Sequence, residues 1–105
     1  MAGHNVAVVT VYLLEAYVPG SSGADLSNLA ERLTEGAKAL LREGLQVRYL
    51  RSTYVPEDET CFHYVEAASA SAAERFARCA DVSFDRILEA RNADGPTASN
   101  PREER

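Results

Sequence analysis

The stretch Val47-Arg48-Tyr49-Leu50-Arg51-Ser52-Thr53-Tyr54-Val55, then Pro56-Glu57-Asp58-Glu59, then Thr60-Cys61-Phe62-His63-Tyr64-Val65-Glu66-Ala67 decides the fold. Two runs rich in β-branched and aromatic residues flank a short polar segment headed by proline, which is the signature of a β-hairpin. Alternation sets Val47, Tyr49, Thr53 and Val55 on one side of the first strand and Arg48, Leu50, Ser52 and Tyr54 on the other. In the second strand Cys61, His63, Val65 and Ala67 share a face, and Phe62, Tyr64 and Glu66 take the opposite one.

A helix precedes this hairpin and another follows it. Leu26, Leu29, Ala30, Leu33, Ala37, Leu40 and Leu41 recur at helical spacing and form one apolar stripe. Ser22 and Asp25 have capping-box spacing, and Gly44 suits the residue just past the helix end. Gly36 lies inside this helix, where a missing side chain allows close packing on the sheet. After the hairpin, Ser69 or Ser71 opens a second helix whose buried stripe is Ala73, Phe76, Ala77 and Ala80. Upstream of everything, residues 6–18 are nearly unbroken β-former and end at Pro19-Gly20, as a buried strand does. Residues 86–91 form a short last strand.

The order β-α-β-β-α-β is that of an α+β, ferredoxin-like sandwich: a four-stranded antiparallel sheet with both helices on one face. The domain spans residues 1–92, and the Asp-, Pro-, Ser- and charge-rich residues 93–105 read as a disordered tail. Helices on one side leave the other face of the sheet bare. Tyr12, Tyr54, Phe62 and Tyr64 are large groups for an open surface, so a sheet-to-sheet homodimer of dimeric α/β-barrel type is expected.

Composition narrows the function classes. The chain has 105 residues, 46% of them hydrophobic, and a net charge of -5. An acidic chain lacks the clustered positive field that a nucleic-acid partner requires. No apolar run reaches the ~18 residues of a membrane span. Two cysteines, Cys61 and Cys79, do not make a disulfide framework, and with no secretory signal pattern the expected location is the bacterial cytoplasm.

Three residues carry the chemistry. Cys61 and His63 share a strand face, as a transition-metal site or a Cys nucleophile with a His base requires. Glu15 lies late in an apolar strand, where an ionised carboxylate is costly unless paired. On neighbouring central strands it can meet His63, as a metal co-ligand or as the group orienting the imidazole, or pair with an arginine of the next strand. Tyr49 and Tyr64 are candidates to contact a bound ligand. The acidic residues of the loops, Glu57, Asp58, Glu59, Asp81 and Asp85, fall at one end of the sheet and read foremost as turn formers.

Leu13-Leu14-Glu15 followed by Val18-Pro19-Gly20, the hairpin from Val47 to Phe62, Val65-Glu66-Ala67, Phe84-Asp85-Arg86-Ile87 and Glu89 together resemble a family of small bacterial ferredoxin-like proteins. That family was first described as a domain of unknown function and includes nickel-binding members. The resemblance implies a ferredoxin-like dimer that binds nickel or another divalent transition metal, for which His63, Cys61 and Glu15 are the candidate ligands. The alternative is a cofactor-free enzyme of bacterial secondary metabolism, an isomerase, cyclase or oxygenase. Its cleft lies between sheet and helices, with His63 as acid or base and Glu15 as its orienting partner. Ala16 stands where the family commonly has a basic residue, and His63 where it has Cys or an apolar residue.

Overall fold

The computed structural model describes residues 9–91. The elements are β1 (Thr10–Tyr17), α1 (Gly23–Arg42), β2 (Val47–Val55), a one-turn 3₁₀ helix (Pro56–Asp58), β3 (Thr60–Ala67), α2 (Ala70–Ala80) and β4 (Arg86–Ala90). The sheet order is β2-β3-β1-β4 with every neighbouring pair antiparallel, so the α+β ferredoxin-like arrangement is the observed one. The expected start of the first strand at residues 6–8 and the tail at 93–105 lie outside the described residues.

Local chemistry explains the helix ends. Ser22 Oγ accepts from the Asp25 N–H at 3.2 Å while Asp25 Oδ2 accepts from the Ser22 N–H at 2.9 Å, a complete capping box. At the other end Gly44 adopts φ +88°, and the Leu45 N–H reaches back to the Leu40 carbonyl at 2.9 Å. Ser69, not Ser71, caps α2, accepting from the Ala72 N–H at 3.1 Å. Asp81 follows α2 in the left-handed region at φ +58°, which a short polar side chain tolerates.

The core lies between the helices and the face of the sheet carrying Tyr12, Leu14, Val47, Val65 and Ala67, with Leu33, Leu40, Phe76 and Ala77 supplied by the helices. Three expectations are corrected. Leu41 is exposed, so the α1 stripe runs through Leu33, Gly36 and Leu40. The close approach at Gly36 is to α2, not to the sheet: a Cβ there would sit 2.9 Å from Ala80 Cβ and 3.1 Å from its Cα. Tyr12 and Tyr54 face the helices rather than the open side, because they oppose Val65 and Cys61 across the ladder.

For Tyr54 the correction has a single cause. The β2–β3 register slips between Tyr49 and Arg51, so Tyr49 opposes Val65 and Arg51 opposes Tyr64 with Leu50 inserted. Past that bulge the alternation of β2 is inverted. Ser52 and Tyr54 join Val47 and Tyr49 on the helix side, and Thr53 and Val55 move to the open side. On that open face Val11, Leu13, Phe62, Tyr64 and Leu88 are all half-buried.

Candidate functional site

The bulge builds the site. It brings two β2 residues three apart in sequence, Tyr49 and Ser52, to one face, beside His63 of β3. Tyr49 Oη lies 2.6 Å from Ser52 Oγ, and Ser52 Oγ lies 2.6 Å from His63 Nδ1. His63 is fully buried, opposite Leu14 on one side and Ser52 on the other. Burial disfavours the imidazolium and pushes its pKa down from 6.5 to about 4. His63 is therefore neutral at pH 7. Cys61 Sγ lies 3.8 Å from the same Nδ1, and burial pushes that thiol's pKa up, so Cys61 is a thiol and not a thiolate.

The far nitrogen is the unusual feature. His63 Nε2 is buried and has no hydrogen-bond partner among the described residues. A buried polar atom left unpaired costs ~1–3 kcal/mol, and folded proteins rarely leave one idle. His63 forms part of the wall of a cavity of about 420 Å³. The rest of that wall is Ala16, Tyr17 and Val18 at the end of β1, Leu29 and Arg32 of α1, and residues 81–85 between α2 and β4. The volume falls within the range of small-molecule sites. Tyr49, at the other end of the hydrogen-bonded chain, lines a separate surface cavity with Thr34, Ala37, Lys38 and Leu41.

Two of the loop carboxylates at this end of the sheet hold backbone. Asp85 Oδ2 accepts from the Tyr17 N–H at 2.8 Å, and Glu59 Oε2 accepts from the Gly20 N–H at 3.0 Å. These bonds fix the end of β1 and so shape the mouth of the cavity. Arg32 makes no ion pair among the described residues.

The sequence candidates separate into two groups. Cys61, His63 and Tyr49 are brought together on the helix side. Glu15 is not: it opposes Phe62 on the other face and receives Arg86 Nε at 2.7 Å, the arginine pairing open to it from the sequence. Tyr64 also faces the open side, where the Arg51 guanidinium lies 4.0 Å above its ring. Neither can touch His63 within one chain. Among the described residues no three or more His, Cys, Asp or Glu side chains converge as a metal-holding group. Cys61 and His63 supply two donors, one a protonated thiol, against the three or four protein ligands that transition-metal sites use. Sequence reasoning missed Ser52, because strict alternation turned it away from His63. The available signal was Arg51, which strict alternation would have placed in the core.

No family model matches the chain, and no curated protein matches it. Among solved structures it is similar to SCO4226 of Streptomyces coelicolor A3(2), with a TM-score of 0.65 and 16% identity over 80% of this chain and 99% of that one. At that identity the likeness concerns the fold.

Proposed function

We propose that the protein is a cofactor-free enzyme acting on a small organic molecule, with its active site in the cleft between the sheet and α1. His63 is the group that exchanges a proton with the bound molecule. The observation that carries this reading is the unpartnered, buried Nε2 of His63, a residue that lines a molecule-sized cavity. A neutral imidazole whose second nitrogen is tied to a hydroxyl chain passes a proton from one ring nitrogen to the other. Loss at Nε2 is matched by gain at Nδ1 from Ser52 and at Ser52 from Tyr49; the bare Nε2 then takes the proton that the substrate gives up at its second atom, and the relay runs back to restore the Ser52 and Tyr49 hydroxyls. Such chemistry suits an isomerisation or cyclisation, in which one oxygen or carbon gains a proton while another loses it. A ligand-observed NMR screen of small carbonyl compounds tests the reading. Binders that shift the amides of Ala16, Leu29 and Phe84 and fail to bind His63→Gln support it; binders that ignore the cleft oppose it.

A second reading, binding of nickel or another divalent transition metal, is favoured by the 3.8 Å approach of Cys61 and His63. Calorimetry with nickel and zinc tests it, and heat abolished by Cys61→Ala would support it. We further infer a homodimer through the open sheet face, where Val11, Leu13, Phe62, Tyr64 and Leu88 form one apolar patch flanked by the Arg48–Glu66 and Glu15–Arg86 pairs. The two cysteines are both free, which agrees with a reducing, cytoplasmic setting.

A further inference from the structure

We propose that the cleft takes an uncharged carbonyl compound, whose oxygen accepts from His63 Nε2, the ring nitrogen that carries the proton in the resting protein; this rests on the reading of the cleft as the active site. The first step is the polarity of the hydrogen-bonded chain. Tyr49 Oη and Ser52 Oγ are 2.6 Å apart, and Ser52 is the one partner of the tyrosine hydroxyl among the described residues. A phenol is the stronger acid and the weaker acceptor of the two, so Tyr49 donates to Ser52. Ser52 has a single proton, and its other close partner is His63 Nδ1 at 2.6 Å. It therefore donates to Nδ1, which must be unprotonated. The Cys61 thiol, 3.8 Å from Nδ1, is also a donor and favours the same arrangement. A neutral imidazole with an unprotonated Nδ1 carries its hydrogen on Nε2. Reversing the chain would leave the phenol proton without an acceptor among the described residues.

The second step is the charge of the wall. His63 presents an N–H that lacks an acceptor, so the ligand must bring an oxygen or nitrogen lone pair. A carboxylate or a carbonyl could supply it. The ionisable groups lining the cavity besides His63 are Arg32, Asp81 and Asp85, together with the weakly acidic Tyr17. Two carboxylates against one guanidinium leave the wall net negative and disfavour an anion. The apolar members Ala16, Val18, Leu29, Val82 and Phe84 suit a hydrocarbon body. A neutral ketone, lactone or quinone satisfies all three conditions.

The test uses the full chain and three probes of one shape: 1-indanone, indane and indane-2-carboxylate. Long-range proton–nitrogen NMR of the free protein should show His63 protonated on Nε2. Titration should give 1-indanone at least ~10-fold tighter than indane, about the worth of one buried hydrogen bond, with the carboxylate weakest. Ser52→Ala should shrink the indanone advantage, and Ser52→Thr should keep it. A proton on Nδ1, a carboxylate that binds best, or equal affinity for 1-indanone and indane overturns the inference while leaving the cleft as a binding site. If none of the three probes shifts His63 or the wall, the cleft reading itself fails.

Discussion

Lowering the pH should destabilise this protein through His63, and the size of the effect follows from its burial. The side chain is fully enclosed, and its pKa in the folded state is about 4 against 6.5 unperturbed. The unfolded chain then binds more protons than the folded one wherever the pH lies between these values. Stability contributed by the neutral ring is whole above pH 6.5, drains away as the pH falls, and is spent below about 4. At about 1.36 kcal/mol per pH unit the full loss is roughly 3 kcal/mol. A folded body of this size has ~4–12 kcal/mol in all, so the loss is a large share. Urea melts at intervals from pH 7.5 to 4, on the wild type and on His63→Gln, isolate the term. Carboxylates that titrate in the same range act on both proteins and cancel in the difference. The wild type should lose roughly 3 kcal/mol more than the variant over that span. Parallel pH profiles for the two proteins would refute the account of a buried, neutral His63.

Other substitutions probe the surrounding structure. Gly36→Ala should destabilise by about 1–2 kcal/mol in thermal melts despite alanine's better helix propensity, because the new methyl would sit 2.9 Å from Ala80 Cβ. Ser52→Ala strips His63 Nδ1 of its close partner and should cost ~1–3 kcal/mol in denaturant melts, more than Tyr49→Phe, which removes only the outer hydroxyl at about 1 kcal/mol. Glu15→Gln loosens a partly exposed pair on the far face and should cost under ~1 kcal/mol, with ligand binding in the His63 cleft unchanged by titration. Phe62→Glu, on the open face, should halve the mass measured by light scattering if the dimer forms there.

Much of this was legible in the residues. The helix stripes, the capping box at Ser22, the Gly44 exit and the alternation of β3 each follow from short-range geometry. They combined into the right topology because local and global preferences agree. The alternation of β3 alone places Cys61 and His63 together on its helix side. What was not legible is the bulge at Leu50. A single inserted residue inverts everything after it, and period-two reading has no means to place the insertion except the awkward position of Arg51. That inversion is why Ser52 was set on the wrong face and Tyr54 was assigned to the open side. Glu15 shows a different limit. An acidic residue in an apolar strand announces that it needs a partner, but the partner depends on strand register. Here the register supplies Arg86 and turns the carboxylate away from His63.

The central claim is that His63 Nε2 faces a cleft that binds a small molecule. It is tested most directly by recording the His63 ring nitrogens by long-range proton–nitrogen NMR during titration with 1-indanone. The account predicts a progressive, saturable shift of Nε2 and its proton, accompanied by shifts at Ala16, Leu29 and Phe84. Ring signals that stay fixed while 1-indanone binds elsewhere, or that stay fixed with indane and indane-2-carboxylate as well, would contradict it.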